Sequence, residues 1–293
     1  MKHHFVPQFA LRYWAEADGK VPYFARKGGH IVRDRLSPEY TGYEPDLYAF
    51  NEVASDRRHI IEEEFFKKLD NAAAPIYARI ERREPDLSAK ERFVWATFVM
   101  AANARVPEKI ELAKKIADKH VRRALAETPE EYLAVKGAAV EAALLEWVEN
   151  NVSGIENLGL VQMVKFLTNE QHVREFLELE WIVHSLAHAS VELLLGDRPL
   201  WTKGRPSDPE FIAMMPLSPH SVFIASRSKR VIQRTIEANA NTLVRRINES
   251  VAAHAMLRVY GRAVETFIDR CMRQPENIEA AVRKALEDPT PPS

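Results

Sequence analysis

The opening segment of the chain, MKHHFVPQFALRYW, concentrates side chains that could transfer protons or bind metal ions and anions. His3 and His4 are adjacent, and neighbouring residues of an extended segment point to opposite sides. One imidazole could therefore face a cleft as a general base or metal ligand while the other faces outward. His3 could also complete a square-planar Cu(II) or Ni(II) chelate with the amino terminus and two backbone nitrogens, which a packed terminus would block.

Arg105 and Asp197 are charged residues at the ends of strongly apolar segments. Arg105 ends AKERFVWATFVMAANAR, where a guanidinium either pairs with a buried carboxylate or binds an anionic ligand. Asp197 follows VELLLG, so it either caps a turn or belongs to a functional loop. The sequence leaves both alternatives open at each position.

A stripe of potential metal ligands recurs at intervals of four, and it consists of Glu180, His184, His188 and Glu192. On a helix these side chains would share one face and could ligate one or two metal ions. On a strand they would extend over about 40 Å, because each residue advances about 3.3 Å. The surrounding β-branched and aromatic residues favour strands with a turn at 188–190, so we do not expect a single metal site here.

Basic side chains collect between residues 227 and 246, where six of them are opposed by one acid, Glu237, for a local charge of +5. Helical steps would align part of this segment on one face that could contact phosphates, namely Arg227, Arg230, Arg234, Glu237 and Asn241. A solvated helix face is the alternative. The whole chain has a net charge of −1, so no global field attracts it to nucleic acid.

The composition is typical of a globular domain, with 46% hydrophobic and 28% charged residues. Cys271 is the only cysteine, which excludes an internal disulfide and a cysteine-based zinc site within one chain. No apolar run approaches the roughly 20 residues of a membrane span, and no export signal opens the chain. We therefore expect a cytoplasmic protein without a membrane partner. The chain also lacks a phosphate-binding glycine loop, a dinucleotide fingerprint, HExxH and GxSxG.

The elements that would position these residues begin with strands. Residues 20–50 predict β-structure, in which VPYFAR and HIVRDR pair through a turn at Gly28 and Gly29. From residue 57 the apolar period changes to that of helices, and the acidic run Glu62-Glu63-Glu64 is expected to face water.

Helix starts are marked by three local signals. Ser88 and Glu91 form a capping box, and Pro107 occupies a natural first helical position. Thr128 and Glu131 repeat the capping pattern for another helix. A further helix is predicted over roughly 157–176.

The second half of the chain repeats this order of strands followed by helices. Residues 177–226 predict short strands, and the chain after Ser228 predicts helices with breaks near Gly261 and Pro275. The expected fold is therefore α+β and mostly helical, with one antiparallel sheet built from residues of about 20–50 and about 177–226. We expect a single domain over 1–293 with a disordered tail at 286–293, and a helical subdomain over 57–176 is the alternative.

The opening motif resembles that of a bacterial family called domain of unknown function 4238, whose members typically begin with two histidines, Val-Pro-Gln-Phe and Leu-Arg. The resemblance continues in order through VPYFARKGGHIVR, ARVPEK, LLLGDRP, MMPLSPHSVFI and RRINESVAAHAMLRVY. It implies no reaction, but it indicates which residues form recurrent motifs: His3, His4, Pro7, Gln8, Arg12, Arg105 and Asp197.

Two functional hypotheses follow from these residues. In the first, the protein is a hydrolase acting on a phosphodiester, nucleic acid or nucleotide, with a divalent metal as an option. Its catalytic residues would be His3, His4 and Asp197, its substrate-binding residues would be Gln8, Arg12 and Arg105, and its phosphate contacts would be Arg227, Arg230 and Arg234. In the second, the protein is a non-catalytic binding or interaction module in which Arg105 and Asp197 form a buried ion pair.

Overall fold

The computed structural model describes residues 1–51, 53–84, 86–126 and 152–272. The predicted α+β class is confirmed. The strands are β1 (Lys2–His4), β2 (Val21–Lys27), β3 (His30–Leu36), β4 (Tyr43–Pro45), β5 (Glu180–Ser185), β6 (Leu195–Gly196), β7 (Trp201–Lys203), β8 (Ile212–Ser218), β9 (Ser221–Ser226) and β10 (Val259–Tyr260). The helices are α1 (Gln8–Leu11), α2 (Lys67–Glu81), α3 (Ala89–Ala104), α4 (Pro107–Ala126), α5 (Val152–Thr168), α6 (Glu170–Leu177), α7 (Lys229–Ile236), α8 (Ala240–His254) and α9 (Glu265–Cys271), and a π-helical turn (Glu62–Phe66) leads into α2.

The described strands form three antiparallel sheets, so the prediction of one sheet was wrong. β1 pairs with β4, a second sheet has the order β3-β2-β10-β6, and a third has the order β5-β9-β8-β7. The hairpin region reaches the second strand region only through β10 and the two-residue β6, because β10 occupies the free edge of β2. The other four strands over 180–226, namely β5, β7, β8 and β9, instead pair with one another in the third sheet.

The first hairpin follows its sequence signal, whereas β10 does not. Gly28 and Gly29 have φ angles of 55° and 84°, which a tight turn between β2 and β3 requires. Val259 and Tyr260 lie in a segment predicted to be helical, yet they pair with β2 on one side and β6 on the other. A two-residue strand is too short to produce a periodic pattern.

The helix starts predicted at Ser88 and Pro107 are confirmed. Ser88 Oγ accepts a hydrogen bond from the backbone of Glu91, whose side chain accepts one from the backbone of Ser88, and α4 begins at Pro107. The helix predicted over 157–176 is divided into α5 and α6, with Asn169 capping the second. The predicted helix at Thr128 and the tail at 286–293 lie outside the described residues. No described helix is long and apolar enough to cross a membrane.

The third sheet separates two apolar layers. Residues that alternate along β8 point to opposite faces, so Met215 packs toward α2 and α3 while Met214 packs toward α7 and α8. On the first side, α3 buries Trp95 and Phe98 completely, as its apolar sequence predicts. A separate cluster packs Phe5, near β1, against the second sheet. The opening segment is therefore docked against the rest of the molecule.

Candidate functional site

His3 lies in a packed segment and is fully buried, because β1 pairs with β4. The backbone N–H of Tyr48 donates a hydrogen bond of 2.8 Å to His3 Nδ1, and the two rings stack with their centroids 5.3 Å apart. His3 Nε2 lies 3.2 Å from Nδ1 of His59. Burial, followed by the nearby His59, lowers the pKa of His3 to about 4, so this imidazole is neutral at pH 7.

His3, Asp46 and His59 form a candidate metal cluster, since their ligand atoms lie within 4.8 Å of one another. The tautomer of His3 argues against it. Because Nδ1 accepts a hydrogen bond from a backbone N–H, the ring proton must be on Nε2, where it donates to His59. A metal ion at Nε2 would move the proton to Nδ1 and set two N–H groups against each other. The same contacts of His3 block the square-planar chelate considered from the sequence.

A second polar group, which we call the Arg105 cluster, consists of His4, Glu62, Asp70 and Arg105. Arg105 caps the end of α3 with 0% of its surface exposed, and its Nη1 donates a hydrogen bond of 2.8 Å to Asp70 Oδ1 on α2. Burial raises the pKa of Asp70, and the neighbouring guanidinium opposes this effect. The side chain of Asp70 is 19% exposed, so the cluster reaches the surface on the side of α2.

One edge of the Arg105 guanidinium has no hydrogen-bond partner among the described residues, because both Nε and Nη2 are buried and unpaired. These two nitrogens form the side-on edge that can bind two oxygens of a carboxylate or phosphate at once. The rings of Phe66 and Phe98 lie 5.9 Å and 5.4 Å from the guanidinium carbon. Unpaired donors in such apolar surroundings are costly, so the geometry favours an oxyanion or ordered water at this edge.

Glu62 and His4 also bury polar atoms, Oε2 and Nε2, that have no partner in the described part of the chain. Burial, and then the neighbouring Asp70, raises the pKa of Glu62 to about 7, so this carboxyl group is about half protonated at neutral pH. Glu62 also begins the π-helical turn, a feature that is frequent at functional sites.

The tautomer of His4 is opposite to that of His3. Burial lowers the pKa of His4 to about 4, and a hydrogen bond to the Pro38 backbone partly offsets this effect. A proline backbone offers only a carbonyl acceptor, so the imidazole must donate this bond. Because Nε2 is the unpaired nitrogen, Nδ1 carries the proton and Nε2 keeps a free lone pair. His4 is therefore the histidine that can act as a base.

Asp197 is buried and accepts three backbone hydrogen bonds, from Met256 at 3.0 Å, from Leu257, and from Arg258 at 2.8 Å. Burial raises its pKa to about 6, and the three N–H donors oppose that shift. The predicted ion pair between Arg105 and Asp197 is contradicted, because Arg105 pairs with Asp70 and both oxygens of Asp197 bind the loop before β10. Asp197 therefore fixes this loop.

The motifs of the resemblance nevertheless meet in space around Asp197. A cavity of about 10 Å³ is lined by Phe5 from the opening motif, by Glu108 from ARVPEK, and by Arg198 beside Asp197, together with other neighbours. Arg198 forms an ion pair with Glu108. A space of this size holds about one water molecule, so the junction is packed and is too small for a substrate.

Among the described residues, no hydrogen bond or ion pair joins Gln8 or Arg12 to the Arg105 cluster. Gln8 begins α1 and is half-buried, while Arg12 is exposed at the following turn. A role for these two residues in substrate binding stays a prediction.

The basic segment after residue 226 forms α7 and α8, so the prediction of helix without a break between Ser228 and Gly261 was wrong. Asn239 caps α8 and interrupts the helical register. Arg227 precedes α7 and donates to a backbone carbonyl at 2.6 Å, and Arg234 pairs with an exposed carboxylate at 2.9 Å. Arg230 is exposed on α7. Contact of these arginines with phosphates stays a prediction.

The four potential ligands lie along a strand and the turn that follows it, as predicted, rather than on one helix face. Glu180 and His184 belong to β5, whereas His188 lies in the turn that follows and Glu192 lies beyond it. Among the described residues, none of the four belongs to a cluster with metal-binding spacing.

The sequence reasoning missed Glu62 and Asp70. Glu63 and Glu64 face water as expected, but Glu62 is partly buried. The signal was present in the spacing, because Glu62, Phe66 and Asp70 recur at steps of four. A helix that buries Phe66 places Glu62 and Asp70 on the same face as that phenylalanine.

Comparisons with known proteins give one match. No curated protein and no solved structure shows significant similarity to the chain. A family model described as "Protein of unknown function (DUF4238)" matches residues 2–264, a span that includes the Arg105 cluster and Asp197.

Proposed function

The chain belongs to the family described as Protein of unknown function (DUF4238), and from that premise we propose that it is a hydrolase that acts on a phosphate ester at the Arg105 cluster. The observation that carries the proposal is the buried side-on edge of Arg105, whose Nε and Nη2 have no partner among the described residues. A phosphoryl group supplies two acceptor oxygens in the geometry that this edge requires. The substrate would be a phosphodiester, a nucleotide or a nucleic acid.

Two neighbouring groups would transfer protons in this reaction. Glu62 has a pKa of about 7, so it is available as both acid and base at neutral pH. His4 is neutral and has a free lone pair on Nε2, which suits a base or a ligand for a divalent metal ion. His3 lacks this free lone pair because its Nδ1 is bound by Tyr48.

The proposed reaction is a displacement at phosphorus by water. Arg105 holds two phosphoryl oxygens and stabilises their developing charge, while His4 Nε2 accepts a proton from the attacking water. The bond from phosphorus to the leaving oxygen breaks as the bond to the water oxygen forms. Protonated Glu62 gives its proton to the leaving oxygen, and exchange with solvent restores both groups.

The first experiment measures hydrolysis of p-nitrophenyl phosphate and bis(p-nitrophenyl) phosphate with and without Mg²⁺, Mn²⁺ or Zn²⁺. We expect turnover that falls by about a hundredfold or more in Glu62→Gln, since a positioned acid or base contributes at least that factor. Glu63→Gln is the matched control, because this neighbouring carboxylate is exposed. Turnover that persists in both Glu62→Gln and Arg105→Lys would refute the assignment, and hydrolysis of p-nitrophenyl acetate alone would refute the substrate class.

A non-catalytic binding module is the second candidate function, and the bonding of Asp197 and His3 favours it. Both residues lie in the recurrent motifs, yet Asp197 is engaged by backbone N–H groups and His3 by a backbone N–H group and the ring of His59. In this candidate function the Arg105 cluster binds an anion without chemical change. Titration calorimetry with inorganic phosphate would then show binding that Arg105→Met removes, while the two nitrophenyl esters stay intact.

A further inference from the structure

A larger cavity, of about 320 Å³, lies on the face of the third sheet that is covered by α7 and α8. We call it the Trp201 pocket, after the aromatic residue of β7 that lines it. Alternating residues of β8 form one wall and residues four apart on α8 form another: Ile212, Met214 and Pro216, and Leu243, Ile247 and Val251. No residue of the Arg105 cluster lines it. A mainly apolar concavity of this size is typical of a small-molecule site.

The charged groups around the Trp201 pocket are mostly basic. Lys203, Arg234 and Arg246 line it together with one acid, Glu210, which pairs with Arg234 at 2.9 Å. Lys203 and Arg246 are exposed and have no polar partner within the described ranges. An apolar interior thus lies beside two cations that no carboxylate of the described chain neutralises.

We propose that the Trp201 pocket binds a small amphipathic anion, namely an alkyl carboxylate of medium chain length. The alkyl chain would lie between β8 and α8, and the carboxylate would bind Arg246 and Lys203. Apart from the charged groups and the indole N–H of Trp201, the polar side chains that line the pocket are Thr235 and Ser250, so a nucleobase would find few neutral hydrogen-bonding partners. The cavity volume of about 320 Å³ is in the range of small-molecule sites, and octanoate, with ten non-hydrogen atoms, is a ligand of the proposed class that is small enough to enter it.

The test is titration of the whole protein with octanoate, below micelle-forming concentrations, followed by calorimetry and by tryptophan fluorescence. Trp201→Phe identifies the part of the fluorescence signal that comes from the pocket. We expect octanoate to bind about fourfold more tightly than heptanoate, since each buried methylene contributes about that factor. Octanol, which has the same chain without the charge, should bind at least about tenfold more weakly than octanoate.

Two variants locate the site. Arg246→Gln should weaken octanoate binding about tenfold, whereas Arg230→Gln, an exposed arginine on α7 that does not line the pocket, should change it by less than about twofold. Ser250→Leu should fill the pocket and abolish binding. Because Ser250→Leu alters a helix, its folding is checked by circular dichroism and thermal melting, and Arg246→Gln provides the independent test.

The proposal is overturned by any of three results. These are no saturable octanoate binding to the wild type, equal affinity for octanoate and octanol, or equal effects of Arg246→Gln and Arg230→Gln. None of these results depends on the hydrolase assignment, because the Trp201 pocket shares no residue with the Arg105 cluster.

Discussion

Asp197 and Arg105 are both buried charges in family motifs, but they differ in how their hydrogen-bonding groups are satisfied. Both oxygens of Asp197 accept backbone N–H groups from the loop before β10, and the adjoining cavity has room for about one water molecule. Arg105 uses one nitrogen for Asp70 and leaves two without partners in the described chain. The difference separates a carboxylate whose oxygens are bonded within the fold from a guanidinium that keeps unpartnered donors.

The largest effect should follow from Asp197→Asn. This change replaces one acceptor oxygen by an NH₂ group that faces backbone N–H donors, so we expect the free energy of unfolding to fall by about 3–5 kcal/mol. The melting temperature should drop by about 10 °C. Asp34→Asn, at an exposed carboxylate of β3, should change the free energy by less than about 0.5 kcal/mol. An unchanged melting temperature in Asp197→Asn would show that the hydrogen bonds of Asp197 do not stabilise the fold.

Arg105→Met should have a smaller effect on stability and a larger effect on binding. Asp70 loses its partner, but it is partly exposed and can take up a proton, so we expect a loss of about 2–3 kcal/mol. Arg105→Met/Asp70→Asn should recover at least half of that loss in urea unfolding, because no buried charge is then left alone. Phosphate binding measured by calorimetry should vanish in both variants. Retained binding would show that Arg105 is not the ligand-binding group.

Glu62 should make stability depend on pH. Its pKa is about 7 in the folded protein against 4.5 in the unfolded chain, so the folded state holds more protons between these values. The contribution of Glu62 to stability should therefore decrease by about 2 kcal/mol, after allowance for partial exposure, as the pH rises from 4.5 to 7, and should then level off. Glu62→Gln should remove this decrease and be more stable than the wild type at pH 8, whereas Glu63→Gln should retain it. Parallel curves for all three proteins would contradict the raised pKa.

The smallest losses of stability are expected for substitutions of the two adjacent histidines, His3 and His4. His3→Asn keeps an acceptor for the backbone N–H of Tyr48 but removes the contact of Nε2 with His59 and a ring stack, so we expect a loss of about 1–2 kcal/mol. His4→Asn leaves a group that can still bond the Pro38 carbonyl, and its cost should stay below about 0.5 kcal/mol. Chemical denaturation measures both. Equal losses would mean that His4 is as structural as His3.

The sequence predicted local features well where the causes were local. Ser88 with Glu91, Pro107, and the Gly28-Gly29 turn each depend on backbone geometry within a few residues, and all three are confirmed. The docking of the opening segment and the apolar character of α3 were also predictable from residue types.

The partners of buried charges were not predictable in the same way. Arg105 was recognised as unusual, but its contact with Asp70 depends on how α2 packs against α3, which no local pattern specifies. Asp197 was assigned to chemistry because nothing in its own segment shows that residues 256–258 would surround it. Glu62 was predicted to face water with the rest of its acidic run, because a charged residue is ordinarily solvated at the start of a helix.

The pairing of β10 with β2 has a consequence for how the chain folds during synthesis. Val259 and Tyr260 complete a sheet whose other strands include residues 21–27, so that sheet stays open until residue 260 has left the ribosome. The loop that binds Asp197 precedes the same strand, so the hydrogen bonds of this carboxylate cannot form until that loop has been synthesised. Contacts between such distant segments form slowly. Until then the edge of β2 is unprotected, so it is exposed to association with other nascent chains.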